Sequence, residues 1–336
     1  MLFNPFERCG VRKSMLELGY LHSIGCLWLL LFMVFAANAQ NFPSKPVSLI
    51  VPFTTGGSND VFARLLSQEL KHTWSQPVLV DNKPGAGGSL GANLVAHANP
   101  DGHTLMLMSS AFTINAAMQP GVAPDPTQQF KPIALVGKGP MILAASKSSG
   151  ILTVQDLIAQ AKLDPGAIQY ATAGPGSVTH LAMELLANMA GIHLSAIPYK
   201  GGTQAITDLI GGHLQLYMGS VPQVMAQARG GKINVLGSSG LKVSPAAPSV
   251  LPIAQTLPNY KIELWWGIFA PSGISNDLAQ KLNLDINNTI AQKKVSDYLM
   301  SEGVDVSLLS TLEFGQFVKS ELKRWQDVVA KSHLNG

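Results

Sequence analysis

Apolar positions along this chain follow two alternating rhythms. Val47 to Val51 is a short strand-like run, Val61 to Leu70 repeats with helical spacing, Val78 to Val80 is strand-like, Leu90 to Ala98 helical and Thr104 to Met108 strand-like again. The alternation resumes beyond Ala144. Strands are predicted at Ile168 to Ala171, Ser195 to Tyr199, Leu214 to Met218 and Ile233 to Gly237. Helices are predicted between them, at Val178 to Met189, Ala205 to Ile210 and Val221 to Ala228. A Pro-rich stretch from Ser244 to Pro258 interrupts the series, followed by the apolar run Leu264 to Ala270. Helical patterns then occupy Leu278 to Ile290, Val295 to Met300 and Leu312 to Val329. Strand and helix alternating in this way predict an α/β chain built of βαβ units over a mostly parallel sheet, in two successive units.

The N-terminal segment is of another kind. Arg8, Arg12 and Lys13 precede the apolar stretch Ile24 to Ala36, and the small-x-small sequence Ala37-Asn38-Ala39 closes it. A basic region, a short apolar region and a cleavage site predict an export signal over residues 1–39, with the mature chain in the periplasm. The apolar stretch is on the short side for a bilayer span, which needs about 20 residues. Cys9 and Cys26 both fall in this segment, so the mature chain is expected to hold neither a disulfide nor a thiol nucleophile.

Composition narrows the function. The 336 residues are 46% hydrophobic and 13% charged, which suits a globular chain with a sizeable core. The formal net charge is +3, and basic residues occur singly, with no stripe or aromatic platform for nucleic acid. No His/Cys/Glu cluster has metal-ligand spacing. Gly85-Ala86-Gly87-Gly88-Ser89-Leu90-Gly91 puts leucine where a dinucleotide fingerprint needs its third glycine, and neither a P-loop nor a G-x-S-x-G elbow is present. No cofactor, metal or catalytic residue is therefore expected.

Two turns carry the candidate chemistry. Pro52-Phe53-Thr54-Thr55-Gly56-Gly57-Ser58-Asn59-Asp60 follows the first strand and leads into a helix. Thr172-Ala173-Gly174-Pro175-Gly176-Ser177-Val178-Thr179-His180 does the same in the second unit. A Gly-rich turn entering a helix gathers unpaired backbone N–H groups, with the helix dipole behind them, at a point that attracts anions. Thr54, Thr55, Ser58 and Asn59 add side-chain hydrogen bonds, Asp60 can cap the helix or hold the loop, and Phe53 can give a ligand an apolar wall. An ordinary βα turn, its glycines serving only the backbone, is the alternative for either alone. One such turn per unit predicts a cleft in which a small anion is held from both sides. His180 reads first as a capping or packing residue, Lys200 as a solvated turn lysine or an anion contact, and Trp265-Trp266 as packing.

Several motifs in order go further. Phe42 to Val47, Val51 to Asp60, Asp81 to Gly91, Pro100-Asp101-Gly102-His103-Thr104-Leu105, Ala173 to Ser177 with His180-Leu181-Ala182, Pro198 to Gly202 and Trp266 to Gly273 together resemble the Bug/TctC family. Its members are periplasmic substrate-binding proteins of tripartite tricarboxylate transporters. The resemblance covers the mature chain from about Phe42 to the C-terminal helix. It implies a two-lobed Venus flytrap with two interdomain crossings, residues 40–144 and 264–336 in one lobe and 145–263 in the other. It implies a non-enzymatic receptor for a small carboxylate, held mainly by backbone N–H and hydroxyl groups. The large and small membrane subunits of the transporter are the implied partners; a same-fold sensor feeding a membrane kinase is the alternative. On matched positions the ligand residues are Thr54, Thr55, Gly56, Gly57, Asn59 and Asp60 from one lobe and Gly174, Gly176, Ser177, Thr179 and His180 from the other. Ser109, Ser110, Tyr199, Lys200, Gly201 and Gly202 rank second. Where many members carry an acid, this chain reads Gly219-Ser220, which disfavours an amino-acid ligand. Pro248-Ser249-Val250-Leu251-Pro252 departs from the family's Pro-Asp-Val-Pro-Thr as well.

Overall fold

The computed structural model describes residues 42–172, 177–199 and 202–331. The compact unit that starts at Lys45 holds every described element.

The chain opens with β1 (Val47–Val51), α1 (Ser58–Trp74), β2 (Val78–Asn82), α2 (Ser89–Ala96), β3 (Thr104–Ser109) and α3 (Ala111–Met118). It continues through the long β4 (Phe130–Ser146), α4 (Val154–Leu163), β5 (Gln169–Thr172), α5 (Val178–Ala190), β6 (Ser195–Pro198), α6 (Gly202–Gly211), β7 (Leu216–Ser220), α7 (Val221–Arg229) and β8 (Ile233–Ser238). It ends with β9 (Glu263–Pro271), α8 (Asn276–Ala291), α9 (Lys293–Ser301) and α10 (Thr311–Lys331). The α/β alternation read from periodicity is therefore the architecture, with most elements a few residues longer than their apolar signal.

The strands join in the order β2-β1-β3-β9-β4-β7-β5-β6, with β8 also on β4. Pairing is parallel at β1–β2, β1–β3, β5–β6 and β5–β7 and antiparallel wherever β4 or β9 takes part. The βαβ rhythm specifies the parallel pairs, because a crossover helix returns the chain to the end of the sheet at which the previous strand began. β4 belongs to both ends of the sheet: Phe130 to Pro140 pairs with β9, and Met141 to Ala145 lies between β7 and β8.

β4 is the element that periodicity misses. Pro132, Gly137, Gly139 and Pro140 read as breakers, yet the register against β9 slips between Pro132 and Ala134 and again between Leu135 and Gly137, which accommodates them. The glycines also admit a neighbour. A Cβ on Gly137 would stand 2.5 Å from Val304 Cγ1, and Lys138 exchanges backbone hydrogen bonds with Asp305 at 3.0 and 2.7 Å. The helices α3 and α4 are also absent from the periodicity. α3 is short and buried nearly all round, and α4 is announced instead by its capping box, Thr153 with Asp156.

One core cluster packs α2, β3 and β9 through Val95, Met106, Trp265 and Phe269, with Phe112 set edge-on to both Phe130 and Phe269 at 5.0 and 5.2 Å between ring centres. A second gathers Leu143, Tyr170, Leu181, Leu186, Tyr260 and Ile262. A third lies under α6 and α7, with Ala205, Leu209, Val224 and Tyr217. The last helix, α10, is buried in two of them: Phe314 and Val318 belong to the first cluster, Trp325 and Val329 to the second.

Candidate functional site

The turn from β1 into α1 is held open by its own side chains. Thr54 to Ser58 are exposed, Gly56 has φ +84° with nothing within 4 Å of where a Cβ would stand, and no side chain caps the helix at Gly57. Asp60, only 5% exposed at its side chain, accepts from the Gly56 N–H at 3.0 Å and from Arg64 Nε at 3.0 Å, and pairs with the Arg64 terminal nitrogen at 2.9 Å. Arg64 donates onward to Asn82 Oδ1 at 3.2 Å, and the Asn82 amide donates to the Phe53 carbonyl at 3.0 Å. Both ends of the turn are thus pinned. The Arg64 hydrogen bond, helped by the Gly56 N–H and Asn82, outweighs burial and holds the Asp60 carboxyl below the usual range. Asp60 positions the turn; Asn59 beside it is buried.

The second turn leaves β5 at Thr172 and enters α5 at Val178. Ser177 is its N-cap: Oγ accepts the His180 N–H at 3.3 Å and lies 3.1 Å from Thr179 Oγ1. Gly174 and Gly176 lie outside the described residues. His180 stacks on Tyr170 with 6.4 Å between ring centres, its Nε2 3.8 Å from Glu184 Oε1, while the Tyr170 hydroxyl donates to the same oxygen at 2.7 Å. Burial lowers the His180 pKa against the opposing pull of Glu184, so the ring is neutral at pH 7. Burial and Glu184 both push the Tyr170 hydroxyl up.

The two turns meet at one cavity of about 450 Å³. Phe53 and Ser58 line it from the first turn, Ser177 and Val178 from the second. Ser109 and Ala111, where β3 passes into α3, line it too, with Asn115, Gly87, Leu264 and Trp266. Ser109 pairs in register with Trp266, and the Ser110 N–H donates to the Trp265 carbonyl at 3.0 Å. The Trp266 indole donates to Ser58 Oγ at 3.2 Å and meets Phe62 edge-on at 5.0 Å, so β9 ties the first turn to the cavity wall. The Asn115 amide donates to the Gly87 carbonyl. A larger hollow of about 680 Å³, between α5 and α10, is lined by Glu184, Lys323, Arg324 and Asp327 and contains neither turn.

Of the residues expected from sequence, Phe53, Ser109 and Ser177 line the cavity. Thr54 to Gly57 sit exposed on the turn beside Ser58, while Ser110 is fully buried. Thr179 and His180 form the first turn of α5. Tyr199 gives its hydroxyl to Asp208 at 2.8 Å, and burial with that bond raises its pKa to about 12. Gly202 opens α6 against the Tyr217 hydroxyl, and Gly219 and Ser220 end β7. Lys200 and Gly201 are outside the described residues. Sequence reasoning missed Asn115, Gly87, Leu264 and Trp266 as lining residues. Leu264 and Trp266 carried a usable signal, since they alternate across Trp265 and so share one face of a strand. Asn115 carried none, because its helix was not legible. Among the described residues no three His, Cys, Asp or Glu side chains are grouped to hold a metal ion.

Comparison with known proteins agrees in extent. Residues 62–334 match the family model described as the tripartite tricarboxylate transporter family receptor. The chain is 33% identical over 302 residues to the UPF0065 protein in the tcbD-tcbE intergenic region of Pseudomonas sp. (strain P51), covering 89% of this chain and 90% of that one. A solved structure described as a periplasmic transporter is 31% identical, superposes with a TM-score of 0.79, and matches 87% of this chain and 99% of its own. R. palustris Rpa4515 with adipate gives 28% identity, TM-score 0.78 and coverage of 86% and 97%. MatC (Rpa3494) from Rhodopseudomonas palustris with bound malate gives 30%, 0.76, and 86% and 100%.

Proposed function

The chain belongs to the tripartite tricarboxylate transporter receptor family, with the α/β, two-lobed fold of periplasmic binding proteins, and on that footing we propose that it captures a small carboxylate between its lobes and delivers it to the membrane subunits of such a transporter. The observation that carries this reading is that both Gly-rich helix starts contribute to one cavity, Phe53 and Ser58 from one and Ser177 and Val178 from the other. In the proposal residues 40–144 with 264–336 form one lobe and 145–263 the second. A signal over residues 1–39 is removed on export to the periplasm.

The carboxylate is held by backbone N–H groups of the first turn other than that of Gly56, which Asp60 holds, and of the α5 start, assisted by the hydroxyls of Ser58, Ser109 and Ser177. Each helix directs the positive end of its dipole at the ligand, and each charge-assisted hydrogen bond is stronger than a neutral one. The role proposed is binding and release. The adipate and malate of the two R. palustris proteins are ligands of the class proposed here.

The test is a thermal-shift screen of the mature chain against carboxylic acids. A ligand bound only by the folded chain at a hundred times its Kd stabilises by about 2.7 kcal/mol, and the matching acid is expected to raise Tm accordingly. A panel in which neutral sugars or cations raise Tm and acids do not would overturn the reading.

A further inference from the structure

We infer that the carboxylate this cavity takes is carried on a flat apolar ring, an aromatic acid in preference to a hydroxylated aliphatic one; the inference rests on the carboxylate-receptor function proposed above. Leu264 and Trp266 alternate across the fully buried Trp265, so both side chains stand on the same face of β9 and form one continuous apolar surface of the cavity. Phe53 adds a second aromatic ring and Val178 an apolar contact from the opposite turn. The Trp266 indole is fixed by its bond to Ser58 and by the edge of Phe62, so its orientation is set before a ligand arrives. Rings presented in this way favour an aromatic partner in offset or edge contact.

The polar side chains of the lining are Ser58, Ser109, Asn115 and Ser177. Ser58 Oγ accepts from the indole, which leaves its hydroxyl hydrogen to donate, while Ser177 Oγ accepts from the His180 N–H and shares a hydroxyl pair with Thr179 Oγ1 at 3.1 Å. The Asn115 amide is engaged by the Gly87 carbonyl. Among the described residues that line the cavity none is charged. Such a wall suits a ligand that brings acceptors at one end and nothing polar elsewhere. With those groups turned to the carboxylate, a hydroxyl on the ligand's body would lie against Phe53, Val178, Leu264 and Trp266.

Calorimetric titration of the mature chain with benzoate, cyclohexanecarboxylate, malate and benzamide tests this. Benzoate is expected to bind at least about tenfold more tightly than malate, the usual discrimination against an unpaired hydroxyl in an apolar site, and more tightly than cyclohexanecarboxylate. Phe53→Leu, which keeps an apolar side chain against the core cluster Phe53 packs on but removes the ring, is expected to weaken benzoate by about three- to tenfold, with the ligand-free Tm little changed; Trp266→Phe, which keeps a ring, is expected to retain benzoate. Malate or cyclohexanecarboxylate equalling benzoate overturns the inference and leaves the carboxylate receptor standing. Benzamide equalling benzoate overturns the carboxylate function itself, and a chain that binds none of the four overturns the inference.

Discussion

At the scale of single residues, the site depends on side chains that shape backbone. Asp60→Asn keeps the size and the chance to accept from Gly56 but removes the charge that Arg64 grips. Because Arg64 is half exposed, the effect is modest: Tm at pH 7 is expected to fall by about 1–2 °C. The pH dependence has a definite sign. The folded Asp60 pKa lies below its unfolded value of about 3.9, so the pair's contribution is full above that pH and is lost as pH falls through the lowered folded value. Acid titration of unfolding should therefore show a shallower loss of stability in D60N than in the parent below about pH 4. Ser177→Ala removes the cap of α5 and is expected to cost about 1 kcal/mol in urea unfolding, with weaker ligand binding read by calorimetry. These residues were legible because glycine, hydroxyls and an acid crowded behind a strand have few other uses. Trp266 was not, because a tryptophan in an apolar run has the same appearance whether its indole edge is buried in a core or aimed at a serine on the rim of a cavity.

At the scale of elements, the close approach of α2 to the first turn is the sensitive joint. A Cβ on Gly91 would stand 2.9 Å from the Lys83 carbonyl oxygen and 3.1 Å from Pro52 Cα, both backbone atoms that cannot swing aside. Gly91→Ala is expected to cost about 1–3 kcal/mol, as overpacking does, measured as a lower urea midpoint with unchanged slope, and to weaken the ligand by displacing Phe53. From sequence this glycine belonged to a near-miss for a nucleotide motif; its use is to let a helix lie against the turn. The parallel strands and their helices were legible for a simple reason: a strand buried on both faces and a helix buried on one have different periods. β4 was hidden because proline and glycine ordinarily end strands, and only the register slips and the segment around Asp305 show why they are tolerated here. The short α3 was hidden because a helix buried nearly all round has no polar face to give it a period.

At the scale of the whole molecule, α10 joins two hydrophobic clusters. Trp325 is fully buried among Leu186, Tyr260 and their neighbours, while Phe314 on the same helix packs with Trp265 and Phe269. Trp325→Ala is expected to cost about 3–5 kcal/mol, read by denaturant unfolding as a single transition moved to lower urea. No helix among the described residues is long and apolar enough to cross a membrane. β4 carries a mechanical consequence of its own. It pairs with β9 along one half and with β7 and β8 along the other, so both ends of the sheet share a single backbone. That backbone is clasped at Gly137 to Gly139, where Val304 and Asp305 lie against the glycines and Lys138 is bonded to Asp305 in both directions, so the halves of the sheet are joined at a braced point and not by an open tether.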